Sequence, residues 1–349
     1  MAESNNNEQL VYLDYAATCP PLPEAVAAMC EGLAGWANPS SPYACGRAAK
    51  AELEDARERV KAALDWTGEL IFTSGATEAI AIVLQRSKNP LTAVSPVEHA
   101  AVWRWCKEAN YVPVDAHGIV DLGGVDLSGL VAIQHVNNET GVIQPVAEIV
   151  EAVRDAGGVF FCDCAQSAGK IALPDADLIA ISAHKFGGPV GFGALLLKDY
   201  GLLHAVGGQE HGYRPGTENL PAAKAMAAAL EAGNGWLGQA AILRSRLEAA
   251  IEEAGGEVVA KGAGRSPAIG AYRMPGVSAA SQLIRFDSNG FAISSGSACS
   301  SGSLKPSHVL EAMGYDHARE VIRVSIGRKT TEREIDAFVD AWKGMVPSP

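Results

Sequence analysis

The stretch Leu178-Ile-Ala-Ile-Ser-Ala-His-Lys185-Phe-Gly-Gly-Pro189 runs from an unbroken apolar segment into a histidine, a lysine and a glycine-rich turn. An apolar run of this length bounded by turn residues predicts a buried strand over 178–183. Lys185 then follows that strand, and lysines are rare near a core without a reason. Partial shielding from water lowers the pKa of an amine and frees it to form an imine. Taken alone, the segment reads more simply as a surface lysine whose stem runs along apolar groups.

Working outward, the sequence predicts strands at Leu70–Thr73, Leu91–Ser95, Leu130–His135, Val159–Asp163 and Ala194–Leu197, separated by helical segments. Helices are predicted over Pro21–Gly35 and 46–65. In the second, Ala49, Leu53, Ala56, Val60 and Ala63 face inward, while Glu52, Glu54, Arg57 and Lys61 stay in water. Strand and helix alternating at this spacing predict an α/β fold around a mostly parallel sheet. An Ala-rich helix, Pro221–Gly233, leads out of it. Beyond lie a helix over Ile242–Ala254 and strands near Glu257–Ala260, Phe291–Ser294 and Val321–Ile326. A last helix opens on the capping box Thr331-x-x-Glu334 and turns Ile335, Phe338, Val339 and Trp342 inward. The expected division is a large domain over 13–233 and a smaller α+β domain from 1–12 and 234–349.

Composition narrows the function. The 349 residues are 48% hydrophobic, enough for a sizeable core, and carry a net charge of -12 without a basic run. Nucleic acid is therefore not an expected partner. No stretch is apolar enough to cross a bilayer, and the polar first nine residues lack the pattern of a signal peptide. Seven scattered cysteines without CxxC spacing predict neither a disulfide framework nor a metal site, and fit a reducing cytoplasm.

The candidate chemistry lies where strands end, the edge at which open α/β sheets bind ligands. In Ser74-Gly-Ala-Thr77-Glu, backbone N–H groups and the Thr77 hydroxyl could hold a phosphate at a helix start, although the segment alone reads more readily as an ordinary cap. Asp163 ends an apolar strand, where its carboxylate needs a cation such as a protonated pyridine nitrogen; a helix cap or structural ion pair is an equal reading. Cys162 and Cys164 point to the other face as small buried hydrophobes. Ser182 and His184 could add phosphate contacts, and Asn138, in a turn crowded with polar side chains, is a candidate contact to cofactor or substrate. His99 alone reads as a cap or surface residue. Cys299 lies in Ser294-Ser-Gly-Ser-Ala-Cys-Ser-Ser-Gly-Ser303, poor company for a core cysteine, and reads as a nucleophile on a mobile segment.

These pieces, with Tyr12-Leu-Asp-Tyr-Ala-Ala-Thr18, Asn38-Pro-Ser-Ser41, His135-Val-Asn-Asn-Glu-Thr-Gly141, Asp163-Cys-Ala-Gln-Ser-Ala-Gly-Lys170, Arg214-Pro-Gly-Thr-Glu-Asn219 and Gly327-Arg-Lys-Thr-Thr331, resemble in order and spacing the cysteine desulfurases. Those belong to the class V aminotransferase group of fold-type-I pyridoxal 5'-phosphate enzymes. The resemblance implies a seven-stranded-type sheet between helices. It assigns the Schiff base to Lys185, the pyridine nitrogen to Asp163, the ring hydroxyl to Gln166, ring stacking to His99, and the phosphate to Thr77, Ser182 and His184. It also implies that Thr217 is donated across a homodimer interface, and that Asn138 and Arg323 hold the substrate, with Arg323 on its carboxylate. The implied reaction takes sulfur from L-cysteine onto Cys299 as a persulfide, leaves alanine, and passes the sulfur to an acceptor or iron–sulfur scaffold protein, or to thiolation.

Cys19, Tyr43, Ala183, Phe186-Gly-Gly-Pro-Val190 and Lys329 depart from the family's usual residues, without removing a group the reaction needs. The rival readings are a selenocysteine lyase or an aminotransferase of the same class, and a non-catalytic cofactor-binding or sulfur-carrier protein. Keeping Lys185, Asp163, His99, Cys299 and Arg323 together argues against the last.

Overall fold

A computed structural model describes residues 10–106, 110–296 and 306–346. Contacts divide the chain into a larger unit, Ala17–Asn137 with Ile143–Gly235, and a smaller one made of the residues up to Ala16, Asn138–Val142, and Trp236 onward. Strand β1 (Val11–Tyr12) belongs to the smaller unit.

The larger unit runs α1 (Pro23–Ala34), α2 (Ala44–Ala63), β2 (Glu69–Thr73), α3 (Ala76–Arg86), β3 (Leu91–Val94), α4 (Ala100–Trp103), β4 (Asn110–Tyr111), β5 (Leu130–Ala132), α5 (Val146–Asp155), β6 (Val159–Asp163), β7 (Leu178–Ser182), β8 (Gly193–Leu197) and α6 (Leu220–Glu231). Its seven strands pair in the order β2-β8-β7-β6-β5-β3-β4. Only β8 runs against its neighbours. The C-terminal ends of β2, β3, β5, β6 and β7 therefore share one edge.

Every residue of β6 and β7 is buried, because both faces of the sheet are covered. Phe160, Cys162, Ile179 and Ile181 pack on one side with α1, α2, α5 and α6. Val159, Phe161, Leu178 and Ala180 pack on the other with α3 and α4. Cys162 and Cys164 lie in the first of these cores, on the face opposite Val159 and Phe161.

The smaller unit adds α7 (Leu237–Glu253), β9 (Glu257–Val258), β10 (Ile269–Arg273), α8 (Ala279–Ser288), β11 (Phe291–Ala292), α9 (His308–Ala312), β12 (Val321–Ser325) and α10 (Glu332–Lys343). Strands β12-β10-β9 form an antiparallel sheet, and β1 pairs in parallel with β11. Phe286 stacks on Phe338 with ring centroids 4.6 Å apart, and Trp342 completes that core. The capping box at Thr331 and Glu334 is formed.

Asn138–Val142, read in sequence within the larger domain, packs instead with the smaller unit. Gly141 explains it. The Ser266 N–H donates to the Gly141 carbonyl at 2.7 Å, and a Cβ on Gly141 would sit 2.5 Å from the Ile269 carbonyl oxygen. Its φ of +77° also favours glycine.

Arg57 is the other departure. It was expected in water but is only 4% exposed. Its guanidinium bonds both carboxylate oxygens of Glu210, at 2.8 and 3.3 Å, and donates to the Leu70 carbonyl. Glu210 also accepts the Phe72 N–H at 2.8 Å, so the pair ties α2 to the edge strand β2. Glu210→Ala would leave the buried guanidinium only the partly exposed Glu54, 3.0 Å from its Nε, as counter-charge, and should cost about 3 kcal/mol in urea unfolding. A loss below about 1 kcal/mol would contradict this reading, since exposed pairs are worth no more than that.

Candidate active site

Asp163 closes β6 and is 7% exposed. One of its carboxylate oxygens accepts the Ala165 N–H at 2.9 Å. Burial pushes its pKa up to about 6, against the pull of that N–H and of the Lys185 charge. Glu98 is also buried; it accepts the Gln134 N–H at 2.7 Å, and burial raises its pKa well above the usual range. The Asp163 and Cys164 charges push it the same way. It was not singled out in the sequence, where a lone Glu beside His99 carries no signal.

The neighbouring strand β7 ends at Ser182 and passes into a single 3-10 turn, Ala183–Lys185. Lys185 Nζ donates to the Ala17 carbonyl at 2.8 Å, and the Lys185 carbonyl accepts from Cys19 Sγ at 3.0 Å. The His184 ring nitrogen Nδ1 and the Thr18 hydroxyl lie 3.1 Å apart. The segment from Ala17 to Leu22 thus lines this turn, also through the Cys19 and Leu22 N–H groups on the His184 and Gly187 carbonyls. Gly187 permits the approach: a Cβ there would lie 2.6 Å from Leu22 Cγ.

At the same edge, β2 leads through Ser74 and Gly75 into α3, whose first turn carries Thr77, an exposed residue. A Cβ on Gly75 would stand 3.6 Å from the Ser182 hydroxyl, so that hydroxyl and the helix N-terminus face one small space. His99 caps α4 after β3, its Nδ1 accepting the Ala101 N–H at 3.2 Å. That bond leaves the ring proton on Nε2. Gln166 is buried just past Asp163, with its Oε1 3.5 Å from Lys170 Nζ. Thr217 is exposed, in the loop before α6.

Thr77, His99, Asp163, Gln166, Ser182, His184 and Lys185 therefore gather at one edge of one sheet. Asn138 and Arg323 belong to the smaller unit, and Cys299 lies outside the described residues. Arg323 is 2% exposed; its Nη1 donates to the Asn138 carbonyl at 2.9 Å and its Nη2 to Asp14 at 2.8 Å. Its Nε is buried without a partner among the described residues, beside a cavity of about 170 Å³ also lined by Glu139, Ser295 and Ser307.

Glu139 was passed over in the sequence, although the polar turn that contains it stood out. Its buried carboxylate accepts from the Ser307 hydroxyl, and its Oε2 occupies the space a Cβ on Gly296 would need. Burial raises its pKa, opposed by the Ser307 bond and the charges of His308 and Arg323.

One buried and one half-buried group at the sheet edge give opposite pH slopes. Asp163 titrates near 6 when folded and 3.8 when free, so the folded state holds more protons between those values and stability falls as pH rises through them. Burial, then the charges of Lys185 and Lys170, hold His184 down at about 4 from 6.5, so its share of stability is lost as pH falls below 6.5. Asp163→Asn should remove the first slope and leave the second. In urea unfolding of the ligand-free protein, the variant should gain on the parent as pH rises from 4 to 6. At neutral pH it should be the more stable by on the order of 2 kcal/mol. Superimposable pH profiles would contradict the assignment.

The fold and the sequence as a whole have counterparts in other proteins. The family model of the class-V aminotransferases matches residues 11–338. The cysteine desulfurase IscS of Dictyoglomus turgidum is 34% identical over 96% of this chain and 94% of its own. The solved structure of a NifS-like protein superimposes with a TM-score of 0.87, at 30% identity, over 96% of this chain and 99% of its own. That of SspA in complex with cysteine gives 0.78 at 27% identity, over 92% and 99%. The chain belongs to the class-V aminotransferase family, within its cysteine desulfurase branch.

Proposed function

We propose that the chain binds pyridoxal 5'-phosphate through Lys185 and takes sulfur from L-cysteine onto Cys299. The observation that carries this is the pairing of a shielded amine, Lys185, with a buried carboxyl, Asp163, past the ends of adjacent parallel strands. The residues fit the cofactor. Asp163 at neutral pH is a buried anion whose cost a pyridinium would remove. The N-terminus of α3, the Ser182 hydroxyl and a neutral His184 imidazole suit a phosphate. The solved SspA structure, which holds cysteine, supports the substrate.

When bound, the cofactor supplies an electron sink that loosens the bonds at the substrate's Cα and Cβ. Lys185 would hold it covalently and carry protons to and from the substrate's Cα. Asp163 would keep the ring nitrogen protonated, Gln166 would bond the ring oxygen, and His99 would pack against the ring. Arg323 would take the substrate carboxylate through its Nε, which has no partner among the described residues, with Asn138 beside it. The Cys299 thiolate attacks the substrate sulfur. One C–S bond breaks, one S–S bond forms, and Cβ gains the proton that makes alanine. The persulfide then passes to an acceptor or iron–sulfur scaffold protein.

A homodimer is part of the proposal. Val26 and Leu33 on α1 and Trp36 just after it are exposed, Trp36 at 83%, an apolar strip that a second copy would cover while Thr217 reaches its neighbour's phosphate. All six described cysteines are free thiols, which suits a reducing cytoplasm, and no described helix is long and apolar enough to cross a membrane.

The purified protein should be yellow, and Lys185→Ala colourless; a variant that keeps the visible band overturns the cofactor assignment. With L-cysteine and a reductant, sulfide and alanine should form in equal amounts. Cys299→Ala should stay yellow and lose at least ~99% of sulfide release, the order of loss expected on removing a nucleophile. Undiminished turnover of cysteine by that variant would end the persulfide mechanism. Sedimentation should give a dimer, and a monomer at micromolar concentration would refute that part.

A further inference from the structure

Glu78 and Arg214 have no part in the cofactor contacts proposed above, yet they meet at the helix start assigned to the phosphate. Glu78 stands in the first turn of α3, and one of its carboxylate oxygens accepts the Ser74 N–H. The other lies 3.0 Å from Arg214 Nε, and both side chains are half-buried. Burial works to raise the Glu78 pKa, but the N–H and hydroxyl of Ser74 and the Arg214 charge outweigh it, so the group stays an anion.

That anion competes with the phosphate. A helix N-terminus carries roughly half a positive charge, spread over N–H groups that have no partner within the helix. Gly75, at the cap position of α3, brings no side chain to those groups. Glu78 and a bound phosphate would therefore draw on the same helix end, and two anions held there repel each other. The Arg214 guanidinium cancels the carboxylate charge and leaves its bond to Ser74 intact.

The loop that delivers Arg214 has other anchors than Glu78. Arg86, in the last turn of α3, donates to the Tyr213 carbonyl at 2.9 Å. The Gly216 N–H donates to Gln209 Oε1 at 2.7 Å, and Glu210 is held by Arg57. Replacing Glu78 thus leaves the loop fastened on both sides of Arg214.

We propose that Arg214 is a positioning residue for the cofactor's phosphate: it neutralises Glu78, so that this carboxylate can shape the turn at Ser74 without repelling the phosphate. The inference rests on the cofactor assignment. Its readout is the affinity of the apoprotein for pyridoxal 5'-phosphate, titrated through the visible band. Arg214→Gln should weaken binding about tenfold, the size of one uncancelled charge beside a dianion in a partly exposed site. Glu78→Gln, whose amide oxygen can still accept the Ser74 N–H, should bind at least as tightly as the parent. Combining Glu78→Gln with Arg214→Gln should recover most of the loss, and Arg214→Lys, which keeps the charge, should stay near the parent. Arg214→Met serves as a second charge-removing variant should the glutamine variant not fold.

If the pair only braced the loop that carries Thr217, both single variants would weaken binding and their combination would recover nothing. That pattern overturns the inference and leaves the cofactor assignment standing. An Arg214→Gln protein that binds the cofactor as the parent does has the same force. A parent protein that never turns yellow with pyridoxal 5'-phosphate overturns both.

Discussion

A carboxylate at the end of a strand without an exposed residue must meet a cation or pay for its burial, and Asp163 sits in that position. The arrangement around it follows from that constraint. The parallel run of β6 and β7 carries Lys185 to the same edge, and the segment from Ala17 to Leu22 folds across the turn to shield it. This edge holds an Asp raised toward neutrality and a His held neutral. A ligand with a protonated ring nitrogen and an anionic group would suit both. Charge complementarity of this kind supports pyridoxal phosphate on grounds separate from family membership.

Much of this was legible in the sequence. Apolar runs ending in Asp163 and at Ser182 gave the central strands, because strands buried on both faces need no alternation. The capping box and the inward face of α10 follow from local rules alone. What stayed hidden depended on distant partners. Arg57 follows the polar spacing of α2 and would be wet in an isolated helix; Glu210, remote in sequence, draws it inside. Strand β10 escaped because Gly270 interrupts a short apolar run, and its β character comes from pairing with β12.

The site divides in the same way. Asp163, Lys185 and Thr77 stood out in the pattern as residues past strand ends, although a plain cap, ion pair or surface lysine read as well or better there. Roles that need a second residue did not stand out. Glu139 gains its meaning from Ser307 and Gly296, both remote from it in sequence. Arg323 was assigned by resemblance, and the structure adds that its Nη1 and Nη2 are engaged while its Nε has no partner among the described residues.

Glu139 has a consequence for how this protein can change. It touches Gly296 on one side and bonds Ser307 on the other, the described residues that flank the cysteine-bearing stretch. The ends of that stretch are thus brought together by one carboxyl group fixed in the core of the smaller unit. Once loop ends are fixed, lengthening the chain between them costs only about 0.6 kcal/mol per doubling. Under the proposed function, insertions or deletions there would alter the reach of the Cys299 thiol, and sulfur delivery to a new acceptor could evolve by changing the length of that stretch.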